Sequence, residues 1–183
     1  MCSTSYRPQL ILLMMAMFVM FSTAANAELK HVSPMGFVST HELFLNATPA
    51  QSYSALVDHV GEWWDASHSF AGQAQAFMID DVAGGCFCEV SGDIRVQHMQ
   101  VVNVQKGRLL VMRGGLGPLQ SMAVTGSMRF AFEDHEKGTR LTYTYAVGGY
   151  APQGLEALAE PVDQVQLGQL KRLQAYIDKH LGD

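Results

Sequence analysis

The chain has 183 residues, 48% hydrophobic and 16% charged, with 12 Lys+Arg against 17 Asp+Glu and a formal net charge of −5 at pH 7. An acidic balance with scattered charges argues against nucleic acid or an anionic membrane surface as partner. The length suits one domain with a sizeable core, and no low-complexity segment, repeat or linker divides it.

The first 27 residues read as a secretory signal peptide. Arg7 and the amino terminus give a weakly positive start, Leu10 to Phe21 is an unbroken apolar run, and Ala25-Asn26-Ala27 has the small-residue form that a signal peptidase cuts. The run is too short to span a bilayer, which takes roughly 20 apolar residues. The expectation is cleavage after Ala27, a secreted or periplasmic protein with no stable membrane insertion, and a single domain over 28–183. Cys2 precedes the apolar run and leaves with it.

In the remaining chain, Gly36 to Leu45 is a strand with Phe37, His41, Leu43 and Leu45 on one face. Thr48-Pro49-Ala50-Gln51 opens a helix: Thr48 caps it, Pro49 takes the first helical position and Gln51 closes a capping box. Tyr53, Leu56, Val57, Val60 and Trp64 follow at helical spacing. From there to residue 150 the chain alternates as β, with strands expected over 76–80, 86–90, 94–105, 108–113, 122–133 and 139–147. Turn signals separate most of them, among them Ser91-Gly92-Asp93 and Lys106-Gly107. A final helix opens at Pro161, with Val162, Val165, Gln169, Leu173, Ile177 and Leu181 as its stripe. A sheet of that length curls, and the last helix is the one long amphipathic cover for its apolar face. Sheet and helix then enclose a hollow.

This order, with Ala47-Thr48-Pro49-Ala50, Trp63-Trp64, Gly84-Gly85-Cys86-Phe87-Cys88-Glu89, Gly117-Pro118-Leu119-Gln120, Leu141-Thr142-Tyr143-Thr144-Tyr145 and Gly148-Gly149-Tyr150-Ala151-Pro152, resembles the helix-grip (START-like, SRPBCC) superfamily. The superfamily includes the major birch pollen allergen, steroidogenic-acute-regulatory-related lipid-transfer domains, polyketide cyclase/dehydrase proteins and activators of the heat-shock protein 90 ATPase. The likeness is greatest to small bacterial members and covers about residues 36–180. It implies an α+β fold in which a curled antiparallel sheet of about seven strands, in the order β-α-β6-α, wraps a long C-terminal helix. Because one scaffold serves carriers, enzymes and co-chaperones, it does not choose among them.

His98 is in phase with Val96, Val102 and Val104, so an inward face would aim its imidazole at the hollow as a general acid or base, or as a satisfied core histidine. Glu89 shares a face with Phe87 and is either a buried carboxylate able to pair with His98 or a surface glutamate. Cys86 and Cys88 point to the opposite face. On a straight strand their Cα atoms are about 6.6 Å apart, so the expectation is two small buried thiols rather than a bridge. Cys86, Cys88, His68 and His98 match no standard zinc spacing, and no metal or cofactor is expected. Arg113 is the remaining polar strand residue weighed. Trp63 is the better aromatic for gating a ligand, with Trp64 assigned to the core. The loops at 114–118 and 148–152 are candidate lids.

The leading expectation is an exported protein that binds a small hydrophobic or amphipathic ligand through Trp63, Phe70, His98, Met112, Met122, Phe130 and Tyr145. One alternative is a cyclase, lyase or hydrolase that moves protons through His98 and Glu89. A second is a protein-binding module related to the chaperone ATPase activators.

Overall fold

Alternation and capping lay down the first elements as the sequence predicts. The computed structural model describes residues 27–182, so the expected signal segment, Ala27 excepted, lies outside the described residues. Strand β1 (Ala27–Ser33) turns into β2 (Gly36–Leu45), in which Phe37, Ser39, His41, Leu43 and Leu45 alternate inward. Helix α1 (Pro49–Asp58) starts at the full capping box: the Thr48 side chain accepts from the Gln51 backbone N–H, and Gln51 Oε1 accepts from the Thr48 N–H. The helix breaks at His59, and a single further turn, α2 (Val60–Trp63), carries the first tryptophan.

Six strands follow: β3 (Phe77–Ile79), β4 (Cys86–Ser91), β5 (Ile94–Gln105), β6 (Leu109–Gly114), β7 (Ala123–His135) and β8 (Gly138–Tyr150). A 3-10 turn, Gly117–Ser121, joins β6 to β7. Every pairing is antiparallel, in the order β1-β2-β8-β7-β6-β5-β4-β3. The sheet has eight strands, one more than expected. The extra one is β1, whose sequence Ala-Glu-Leu-Lys-His-Val-Ser is too polar to announce itself. Cleavage after Ala27 would leave Glu28–Ser33 of this strand.

Helix α3 (Glu156–His180) lies across the inner face of the sheet, against β2 and β1 among others. It starts five residues before Pro161, the expected opening. Proline lacks an N–H and clashes with the carbonyl four residues back, but this early in a helix one bond is all that is lost. The core joins its Leu170, Leu173 and Ile177 to Leu56 of α1, Met99 of β5, Leu110 and Met112 of β6, Phe130 of β7, and Leu141, Tyr143 and Tyr145 of β8. Among the described residues no helix is long and apolar enough to cross a membrane.

Gly126 of β7 is a close-approach position. A Cβ there would sit 2.3 Å from the Tyr145 ring. Gly126→Ala must therefore displace a fully buried aromatic, and a loss of about 1–3 kcal/mol in urea unfolding is expected.

Candidate functional site

Two bulges in β5 decide what faces inward. Phe87 pairs with Met99 and Cys88 with Gln97, so His98 is an extra residue with no partner across the ladder. Val101 pairs with Met112 and Asn103 with Val111, so Val102 is the second extra residue. Each bulge flips the alternation. His98 and Met99 are consequently both buried, at 4% and 1%, while Val102 is 40% exposed. Val96, His98 and Val104 keep the expected inward phase and Val102 alone leaves it, while the first bulge turns Met99 inward beside His98.

The same bulge brings Glu89 and His98 together. Glu89 is fully buried, and His98 Nε2 lies 3.2 Å from its Oε2. Three further donors converge on the carboxylate: Ser69 Oγ at 2.5 Å, the Phe70 backbone N–H at 3.1 Å and the Ala71 backbone N–H at 2.5 Å. On the other side of the imidazole, Gln120 Nε2 donates to His98 Nδ1 at 3.3 Å and to the Gln97 carbonyl at 3.2 Å. His98 Nδ1 is thus an acceptor and Nε2 carries the proton, so the ring is neutral. Burial would raise the Glu89 pKa, but the donors from Ser69, Ala71, Phe70 and His98 together hold it below its ordinary value. Burial lowers the His98 pKa, and Glu89 offsets this only in part. Phe77, Phe87 and Phe70 surround the imidazole, with ring centroids at 5.2, 5.4 and 6.0 Å.

This dyad ties down two segments that rim a cavity of about 660 Å³. Glu89 holds the segment after Trp64, whose Ser67, His68, Ser69 and Phe70 form one wall. Gln120 holds the Leu116–Ser121 turn, which forms the second. The N-terminal half of α3 supplies the third through Leu158, Pro161, Val162, Val165 and Gln166. Val162 and Val165, expected in the core stripe of α3, are only partly buried because they face this space. The helix buries Asp163 and Gln166 instead, alongside the expected Gln169. Among the described residues no Lys, Arg, Asp or Glu lines the cavity, and the ionisable groups that do are His68 and His98.

The cavity lies at one end of the sheet rather than beneath its middle, which corrects several expected contacts. Phe70 and His98 line it, but Trp63, Met112 and Phe130 border only a void of about 10 Å³ in the packed centre. Trp63 is anchored there by donation from its Nε1 to the Ala55 carbonyl. Trp64 is buried in the core as its spacing predicts, and it, rather than Trp63, also reaches the cavity. How the chain turns at the helix break at His59 decides which of the pair does so. Met122 packs against the core. Tyr145 is fully buried over Gly126, its hydroxyl makes no well-formed hydrogen bond, and burial pushes its pKa up to about 12. Of the two glycine-rich loops, the first leads into the Leu116–Ser121 rim. Gly148 and Gly149 are instead strand residues of β8 paired with β2 and β7.

Cys86 and Cys88 form a disulfide on the outward face, against expectation. Their Cα atoms are 5.4 Å apart, closer than straight-strand spacing, where β4 meets the His98 bulge of β5. With His98 inward, His68 on the cavity rim and the sulfurs bonded outside, these four residues do not converge. Arg113 is exposed, across from Gln100 on β5.

Sequence reading missed a second buried polar group. Ser39 Oγ donates to Asp163 Oδ1 at 2.6 Å, and His41 Nε2 lies 3.1 Å from Ser39 Oγ and 3.0 Å from Asp163 Oδ1. One nitrogen meets both partners, and His41 Nδ1 has none among the described residues. A nucleophilic triad needs serine and carboxylate on opposite ring nitrogens, so this is a clamp between β2 and α3. Its one signal in the sequence is a serine alternating with Phe37 and His41. Burial lowers the His41 pKa, partly offset by Asp163.

Two buried neutral histidines give a pH prediction. Their folded pKa values lie below the ordinary 6.5, so the unfolded chain binds protons more readily. Stability is fully present above pH 6.5 and falls as pH drops through the lowered values. The urea midpoint should decrease between pH 7.5 and 5.5, and less steeply in His98→Gln.

No protein-family model matches the sequence, and no curated protein does. Solved structures do. An uncharacterised protein from Rhizobium leguminosarum superposes with a TM-score of 0.59 at 18% identity, over 86% of this chain and 100% of its own. CalU16 from Micromonospora echinospora gives 0.55 at 15% identity, over 84% of each chain. Ara h 8.0201 gives 0.54 at 15%, over 78% of this chain and 98% of its own. The fold is a helix-grip fold. Identities this low carry architecture alone.

Proposed function

We propose that this protein is an exported binder of a small, uncharged, hydrophobic or amphipathic molecule held in the 660 Å³ cavity. The observation that carries this reading is the lining. The volume is that of a small-molecule site, and the walls combine Trp64, Phe70 and aliphatic side chains with few polar groups. With no charged partner in the walls, burial of an ionised ligand would be costly. Ser67 Oγ and Gln166 Nε2 can donate to a ligand carbonyl, and Gln120 Oε1 can accept from a ligand hydroxyl. Export rests on the N-terminal 27 residues.

The competing reading, proton transfer by His98 and Glu89, is less favoured. Both imidazole nitrogens and both carboxylate oxygens are engaged within the protein. A general base needs a free lone pair within hydrogen-bond reach of substrate.

Titration with Nile red, a flat neutral dye, tests the proposal. Binding at about 1 µM or tighter, equivalent to roughly −8 kcal/mol, with quenching of Trp64 emission, is the expected result. A dye that stays in water at all protein concentrations would overturn it.

A further inference from the structure

The cavity does not use the Cys86–Cys88 disulfide. The bridge lies on the opposite face of the sheet, partly exposed. Its two half-cystines are the sole cysteines among the described residues, so no other thiol there competes for either sulfur.

The bond contributes little to holding the fold. A disulfide stabilises by closing a loop in the unfolded chain, and the effect grows with loop length. This one closes a loop with a single intervening residue, Phe87, whose ring is buried in the core. β4 is already fixed by ladders on both sides, to β3 and to β5. The register shift beside the cysteines belongs to the β4–β5 pairing.

Its surroundings suit a peptide. Met78, directly opposite Cys88 on β3, is 47% exposed, and Val90, next along the same face of β4, is 38% exposed. Across β5, the uncharged Gln97 and Gln100 face the two cysteines and the exposed Arg95 faces Val90. Apolar side chains thus flank a solvent-accessible disulfide. Exposed bridges are the labile and catalytic ones, whereas buried structural bridges resist exchange.

We propose that Cys86–Cys88 is a thiol–disulfide exchange site that oxidises dithiols in extended, apolar peptide segments. A peptide thiolate attacks one sulfur, the Cys86–Cys88 bond breaks, and the other cysteine leaves as a thiolate. The second peptide thiolate then attacks the peptide sulfur of the mixed disulfide and expels the first cysteine. Two electrons and two protons pass from the peptide to the protein, which ends as the dithiol.

The test mixes the oxidised full chain, under native conditions, with a reduced Cys-x-x-Cys peptide bearing leucine and phenylalanine beside its cysteines. Mass spectrometry reads the transfer of two hydrogens. Oxidation of the peptide at least ~10-fold faster than by glutathione disulfide at equal concentration is the expected result. Cys88→Ser should in addition trap a mixed disulfide at Cys86 when given the oxidised peptide. A bridge that survives the peptide while the urea-unfolded chain is reduced would overturn the proposal, as would a rate equal to that of glutathione disulfide. Cys86→Ser/Cys88→Ser should keep its dye binding, which separates failure of this site from failure of the cavity.

Discussion

Glu89→Ala is expected to lower stability by about 2–4 kcal/mol. The carboxylate is fully buried and accepts from Ser69 Oγ, the Phe70 and Ala71 N–H groups and His98 Nε2. Alanine removes the acceptor for all four. Each buried donor left unmade costs about 1–3 kcal/mol, but the residues around 69–71 are partly exposed and water can recover some of that. A loss of this size corresponds to a Tm fall of roughly 10 °C in a domain of this length. Hydrogen exchange should rise at Phe70 and Ala71 before it rises elsewhere. Glu89→Gln keeps the shape and one acceptor oxygen, and about half the loss is expected. The outcome also separates the two functional readings. A carboxylate poised for chemistry sits in an environment that disfavours it, and its removal commonly stabilises. A stabilised Glu89→Ala protein would therefore favour the enzyme reading.

Val162→Trp/Val165→Trp should weaken Nile red binding by about 100-fold, or roughly 2.8 kcal/mol, without loss of fold. Both valines lie on the cavity-facing side of α3, one turn apart and only partly buried. Indoles at these positions extend into open space rather than into the packed core, so the overpacking cost is small. Unchanged thermal unfolding together with lost binding is the expected pair of results. Undiminished binding would place the dye elsewhere, and unfolding would show that the space is not open. Leu173→Trp, about three turns beyond Val162 on α3 and fully buried, is the contrast: it should damage the fold itself.

Local chemistry made much of the architecture readable. The capping box at Thr48 is a four-residue signal, and the alternation of β2 and β8 covers more than four residues each, so both can be recognised without knowing what they contact. Features set by tertiary context could not be read in this way. β1 is polar and pairs on one side only, so its alternation carries no apolar mark. The Cys86–Cys88 bridge was discounted on straight-strand spacing, and a bulge is a property of two strands rather than one. The inward phase of His98 was readable from Val96, whereas the inward turn of Met99 beside it comes from the same bulge. That Trp64 rather than Trp63 reaches the cavity depends on how the chain turns at the helix break at His59, two residues before Gly61. Asp163 reaches Ser39 across 124 residues, a separation over which pattern says nothing. Gln120 lay within a recognised motif, but its partner His98 emerges only from the placement of the 117–121 turn.

The central claim is that the cavity between α3, the 67–70 segment and the 116–121 turn holds a small uncharged apolar molecule. Native mass spectrometry of the chain, purified from the exported fraction without denaturation, tests it most directly. The account predicts an added mass that extracts into organic solvent as a neutral compound and is absent from Val162→Trp/Val165→Trp. An adduct that persists in that variant, or a wild-type protein that carries only an ionic ligand, would contradict it.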